Sequence, residues 1–170
     1  MTRIETLAVH AGGEPDRETG ALSPPIHLAT TFEHGPAGER RAGYEYQREG
    51  NPTQDRLEQA LAALEGGAAA LAYGSGMAAM NGLLESLPRG AHVLIPADCY
   101  TGLRVLAQEF LPERDITATA VDMADLAAVR AALRPETRLL WAETPSNPQL
   151  RVADIAALAG IAKAHGALLA

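Results

Sequence analysis

The feature that most constrains this chain is a regular alternation of short apolar runs with amphipathic helical patterns from residue 68 to residue 170. The apolar runs fall at residues 68–73, 92–95, 116–121, 138–143 and 167–170. Helical patterns lie between them at about 76–87, 101–111, 125–133 and 152–163. Leu126, Val129 and Leu133 share one face of the third pattern, and Ile155, Leu158 and Ala162 share one face of the fourth. Repeated βα units of this spacing call for a parallel sheet covered on both faces by right-handed crossovers. The fold class read from the pattern is therefore α/β, with a mostly parallel doubly wound sheet. A length of 170 residues is enough for about one such domain. The last apolar run stops without a polar residue to close it, so the sheet is expected to be incomplete.

The first part of the chain reads differently. Residues 1–52 are interrupted by Gly12, Gly13, Gly20, Pro24, Pro25, Gly35, Pro36, Gly38 and Gly43, which leaves few periodic segments. This irregular N-terminal arm still carries Ile26, Leu28, Phe32, Tyr44 and Tyr46, more apolar and aromatic surface than a disordered tail holds. An ordered arm that contacts another subunit is the expectation. At residue 53 the character changes: Thr53 reads as a helix N-cap, Leu57, Leu61 and Leu64 recur at helical spacing, and Gly66-Gly67 closes the helix. The division expected is an arm over 1–52 and a larger domain over 53–170.

Composition excludes several classes. A net charge of −7 and the lack of any basic run argue against a nucleic-acid surface. No apolar run is long enough to span a bilayer and no signal-peptide pattern opens the chain, so a cytoplasmic protein with no membrane partner is expected. The single cysteine, Cys99, rules out a disulfide framework and reads as a small buried residue. The five histidines show no metal-ligand spacing, so no metal is expected.

In an open parallel sheet, ligands bind beyond the carboxyl ends of the strands. The segments there are Gly74-Ser75-Gly76-Met77, then 96–100, Asp122, and 143–148. A glycine turn running into a helix N-terminus offers unpaired backbone N–H groups and the helix dipole to an anion. Residues 74–79, GSGMAA, also satisfy a dinucleotide fingerprint, with Asp98 as a candidate ribose-binding acid. Tyr100 has a flat face for stacking and a hydroxyl for proton transfer, or is an ordinary half-buried tyrosine. Asn147, between Pro145 and Pro148, has an amide able to donate to a ring oxygen, or marks a rigid turn. Arg48, near a helix start, suits a phosphate, or is a solvated arginine opposite Glu45 or Glu49.

Together these pieces resemble the pyridoxal-phosphate enzymes of cysteine and methionine metabolism, the family of cystathionine γ-synthase, cystathionine lyases and methionine γ-lyase. The matching stretches are 23–32 (SPPIHLATTF), 46–53 (YQREGNPT), 73–79 (YGSGMAA), 98–102 (DCYTG) and 143–148 (ETPSNP), in family order from about residue 5 onward. The resemblance implies the front half of a fold-type-I large domain and pyridoxal 5′-phosphate as cofactor. It implies that Ser75, Gly76 and Met77 hold the cofactor phosphate, and that Tyr46 and Arg48 reach the phosphate of a neighbouring subunit. Tyr100 would stack on the pyridine ring and could transfer a proton, and Asn147 would bond to the ring hydroxyl oxygen. The implied substrate is a small sulfur amino acid, and the implied assembly is a homo-oligomer, a dimer of dimers.

The chain also departs from the family pattern. The family continues with a strand-end aspartate, a Schiff-base lysine and a C-terminal domain. Here 13 of the 14 basic residues are arginines, and the one lysine, Lys163, sits inside a helical pattern. Thr101 stands where many members have glycine. The 170-residue chain is expected to be inactive alone for want of the nucleophilic amine. The alternatives are a non-catalytic truncated chain that persists as an assembly partner, and a dinucleotide-binding domain resting on GSGMAA.

Overall fold

A computed structural model describes residues 3–170, so the first two residues of the expected arm lie outside it. The chain divides at Tyr73 and Gly74 into two compact units. The division expected at residue 52 falls inside the first unit.

That first unit holds α1 (Ile4–His10), an irregular stretch with antiparallel bridges Thr31–Tyr46 and His34–Arg40, and α2 (Pro52–Glu65). The cap of α2 is Asn51 rather than Thr53. Its side chain accepts from Thr53 N at 2.9 Å, because Pro52 occupies the first helical position and sets the cap one residue before itself. Thr53 serves the arm instead: its hydroxyl accepts from His27 N at 2.9 Å, while Asn51 Nδ2 donates to His27 O at 3.2 Å. The helix ends as expected at Gly66, left-handed at φ 66°, with Gly67 N bonded to Ala62 O. Tyr44 lies 5.2 Å from the Phe32 ring and donates to Asp55 Oδ2 at 2.5 Å. That hydrogen bond, with burial, pushes the phenol up to about 12. Gly12, at φ 71°, packs so tightly on α2 that a Cβ there would overlap the Arg56 carbonyl. The arm is irregular, as its glycines and prolines require, but it is folded onto α2.

Residues 68–73, expected as the first strand, form none. Their backbone has no ladder partner among the described residues, and Ala72 N donates instead to the Glu58 carboxylate at 2.8 Å. Leu71 is 73% exposed. The apolar composition was real, but a strand also needs a neighbour.

The second unit is built on a parallel four-stranded sheet of order β2-β1-β3-β4, with β1 (His92–Pro96), β2 (Thr117–Val121), β3 (Thr137–Leu140) and β4 (Leu168–Leu169). Its helices are α3 (Gly76–Glu85), α4 (Thr101–Val105), α5 (Leu126–Ala132) and α6 (Ile155–His165). After α4 the chain winds on through a π turn at Leu106–Phe110 and a 3-10 turn at Leu111–Arg114. Alternation along β1 divides the core. Val93 and Ile95 pack with Leu84, Leu103, Leu106 and Leu139 on one face. Leu94 packs with Leu140, Val129, Leu158 and Ile161 on the other. Helices on both faces of a parallel sheet make the doubly wound arrangement read from the sequence. No helix among the described residues is long and apolar enough to cross a membrane.

Candidate cofactor site

Strand order locates the site. From β1 the chain steps outward to β2, then crosses back over β1 to β3 and on to β4. The winding therefore reverses between β1 and β3, and the loops leaving these neighbouring strands part to form a crevice. Tyr100 closes the loop after β1, and Asn147 lies on the loop after β3.

Three side chains tie these loops together. The Glu143 carboxylate accepts from Tyr100 N at 2.9 Å. The Ser146 hydroxyl donates to Asp98 Oδ2 and accepts from Arg151 N at 3.0 Å. Arg151 Nη1 in turn reaches Asp122 Oδ2, after β2, at 2.6 Å. Ser146 is buried at 3%, whereas Asn147 beside it is exposed, with its amide free of any partner among the described residues. The peptide bonds preceding Pro145 and Pro148 are both cis.

At the start of α3, Ser75 is the N-cap and its hydroxyl oxygen accepts from Ala78 N at 3.1 Å. Ala79 N donates to the Ser75 carbonyl at 3.1 Å. The N–H groups of Gly76 and Met77 and the Ser75 hydroxyl proton remain for an outside acceptor. A Cβ on Gly76 would meet no atom within 4 Å, so this helix start opens outward. Gly102, in the first turn of α4, connects it to the crevice. A Cβ at Gly102 would overlap both the Met77 thioether and the edge of the Tyr100 ring. The Met77 side chain and the ring of Tyr100, a residue 42% exposed, thus both crowd Gly102. Donors for a phosphate beside a flat ring face, with a free amide across the crevice, fit a phosphorylated aromatic cofactor such as pyridoxal 5′-phosphate.

In the first unit, Tyr46 and Arg48 form a pair of their own. The Arg48 guanidinium carbon lies 4.3 Å over the Tyr46 ring, and its Nη1 donates to the Tyr46 hydroxyl at 3.1 Å. The ion pair with Glu45 or Glu49 considered for Arg48 goes to Arg40 instead, at 2.5 Å and 3.0 Å. Arg48 has no acidic partner among the described residues.

Two other readings lose their ground. The dinucleotide fingerprint requires a strand before GSGMAA, and residues 68–73 are not one. Asp98, its ribose-binding candidate, is engaged by Ser146. Cys99 is buried, and burial raises its thiol above the ordinary range, as suits a packing residue. Lys163 lies exposed in the last turn of α6, two residues from His165, whose Nε2 is 2.8 Å from Arg134 O ahead of β3. That is the amino-terminal edge of the strands, opposite the crevice. Among the described residues, no group of three or more His, Cys, Asp or Glu is arranged to hold a metal.

The residues that sequence reasoning passed over are Glu143, Ser146, Gly102 and Arg151. Glu143 and Ser146 lie in a segment placed beyond a strand end and Gly102 in a stretch matched to the family, but the cross-loop contacts, and Arg151, were not visible.

A family model described as Cys/Met metabolism PLP-dependent enzyme matches residues 5–170. Cystathionine gamma-synthase of Mycobacterium tuberculosis is 49% identical over 155 residues, 91% of this chain and 40% of that protein. Cystathionine beta-lyase of Lactococcus lactis is 40% identical over 168 residues, 99% of this chain and 44% of that protein. The crystal structure of metB from Corynebacterium glutamicum superimposes with a TM-score of 0.94 at 39% identity, over 99% of this chain and 44% of its own. Cystathionine gamma-lyase from Lactobacillus plantarum, complexed with L-serine, gives 0.91 at 42% identity, with the same coverage. The chain thus spans less than half the length of each of these proteins.

Proposed function

The chain belongs to the Cys/Met metabolism PLP-dependent enzymes, and from that premise we propose that it provides the phosphate cup and ring-binding face of an enzyme acting on a sulfur amino acid by β- or γ-elimination or replacement. The observation that carries this reading is the contact of Met77 and Tyr100 around Gly102 at the sheet's switch point. The cofactor, when bound, supplies an electron sink for bonds at the amino acid's α, β and γ carbons.

In this reading Ser75 donates its hydroxyl proton, and Gly76 and Met77 their N–H groups, to the phosphate, with the α3 dipole favouring the anion. Tyr100 stacks on the ring and fixes its plane, and its hydroxyl can move a proton at the substrate. Asn147 donates to the ring hydroxyl oxygen. Tyr46 and Arg48 complete the phosphate site of a second copy in a homo-oligomer. Support for that partnership comes from Arg48, which has no acidic partner among the described residues, and from apolar side chains left exposed on α2, Leu57 at 52% and Leu61 at 39%. Lys163 takes no part, so a chain of these 170 residues binds the cofactor without turning substrate over.

Titrating pyridoxal 5′-phosphate and NAD in parallel against the chain tests the reading. The expected result is saturable binding of the first, none of the second, no cleavage of cystathionine, and no borohydride-stable adduct on Lys163. Preference for NAD would overturn the cofactor assignment. An adduct on Lys163 together with elimination activity would overturn the assigned inactivity.

A further inference from the structure

Tyr100 presents its ring to the crevice with little to hold it. Its hydroxyl has no hydrogen-bond partner among the described residues, and as N-cap of α4 its side chain makes no capping bond. The direction of the ring is therefore set by where its backbone sits and by the contact with Met77 and Gly102. That backbone is gripped from another loop. The Glu143 carboxylate, arriving after β3, accepts from Tyr100 N at 2.9 Å and so supplies the cap the helix start lacks. A negative charge at this end also suits the dipole of the helical run that follows.

We propose that Glu143 is a positioning residue for the cofactor site. Through the Tyr100 amide it fixes the ring against the crevice, and with the Ser146–Asp98 pair it sets the distance between Tyr100 and Asn147. The proposal rests on the cofactor reading above. One attachment between two loops lets them pivot, whereas two attachments set both separation and angle. Here the attachments fall on Asp98 and Tyr100 of one loop, and on Ser146 and Glu143 of the other. The same loop that grips Tyr100 carries Asn147, so the stacking face and the amide move as one piece. Arg151 extends the tie to Asp122 after β2, which keeps residues 146–151 from swinging away.

Amide hydrogen exchange at Tyr100, read by NMR, and equilibrium dialysis with pyridoxal 5′-phosphate test this on the full chain. Wild type is expected to protect the Tyr100 amide. Glu143→Ala should lose that protection and bind the cofactor roughly tenfold more weakly, about the net worth of one hydrogen bond. Glu143→Gln keeps an acceptor oxygen at the same reach and should restore both readouts to within about threefold. Glu143→Asp keeps the charge but pulls the acceptor back, and should resemble Glu143→Ala; it stands in if the alanine variant does not fold. A Glu143→Ala or Glu143→Asp chain that binds as wild type does would overturn the proposal. So would a Gln variant as impaired as Ala, because Gln keeps the reach of the acceptor and lacks only the charge. Should wild type fail to bind pyridoxal 5′-phosphate, the cofactor reading falls and the proposal with it. The Tyr100 amide, measured without cofactor, tells that failure apart from failure of the clamp.

Discussion

At the scale of single residues, Gly102 shows how one absent side chain organises a site. Its Cβ position is already filled by the Met77 thioether and the edge of the Tyr100 ring. Gly102→Ala would have to displace both. The fold itself should not suffer, because alanine is favoured over glycine within a helix by about 1 kcal/mol and the methionine tail can move aside. The tyrosine ring has less freedom, and tilting it sacrifices stacking worth about 1 kcal/mol. Gly102→Ala should therefore melt at or above the wild-type temperature, yet bind pyridoxal 5′-phosphate about fivefold more weakly. Dialysis and thermal melting on the same sample separate the two effects. Unchanged affinity would mean that the Tyr100 ring does not meet the cofactor. Thr101, one residue earlier, is exposed.

At the scale of elements, the caps hold more than the helices they begin. Asn51 caps α2 and also donates to His27 O, so it joins the helix start to the arm. Asn51→Ala should cost about 1 kcal/mol for the cap alone and somewhat more for the lost arm contact. Thr53→Ala would remove only the His27 N partner. Denaturant titration should place Asn51→Ala clearly below Thr53→Ala, and the reverse order would mean that the arm bond outweighs the cap. The sequence made the second unit's helices and strands legible because each has its own periodicity, and four apolar runs became the four strands. It misassigned residues 68–73 because strand formation depends on a neighbour that no local pattern reports. The cap moved from Thr53 to Asn51 because two residues of nearly equal cap preference stand two apart, and only the proline between them decides. Ser75, Gly76 and Met77 could be nominated from a glycine turn before a helix. Glu143 and the Ser146–Asp98 pair could not, since their meaning lies in contacts between loops more than forty residues apart.

At the scale of the whole sheet, His92 couples three strands at the edge opposite the crevice. It opens β1, is 1% exposed, and lies 2.8 Å from a threonine hydroxyl on each side, Thr137 of β3 through Nδ1 and Thr119 of β2 through Nε2. Arg134 donates to both hydroxyls, its N to Thr137 Oγ1 at 2.8 Å and its Nη2 to Thr119 Oγ1 at 3.1 Å, so each threonine keeps a proton to offer a ring nitrogen. A neutral imidazole satisfies this arrangement, whereas a second ring proton would face a donor. Burial is the main cause of a pKa held below 6.5, the nearby Arg134 guanidinium adds to it, and Glu136 opposes it. The unfolded chain therefore takes up the proton at a higher pH than the folded one. Above pH 6.5 both states carry a neutral ring, and stability does not depend on this group. As pH falls below 6.5 the unfolded state gains protons that the folded state refuses, and stability drops. Melting curves between pH 7.5 and 5, above the main carboxylate range, should show the melting temperature falling more steeply for wild type than for His92→Gln. The glutamine can bond the same hydroxyls but cannot titrate. Parallel slopes would place the acid sensitivity elsewhere, and a steeper slope for the variant would reverse the sign derived for His92.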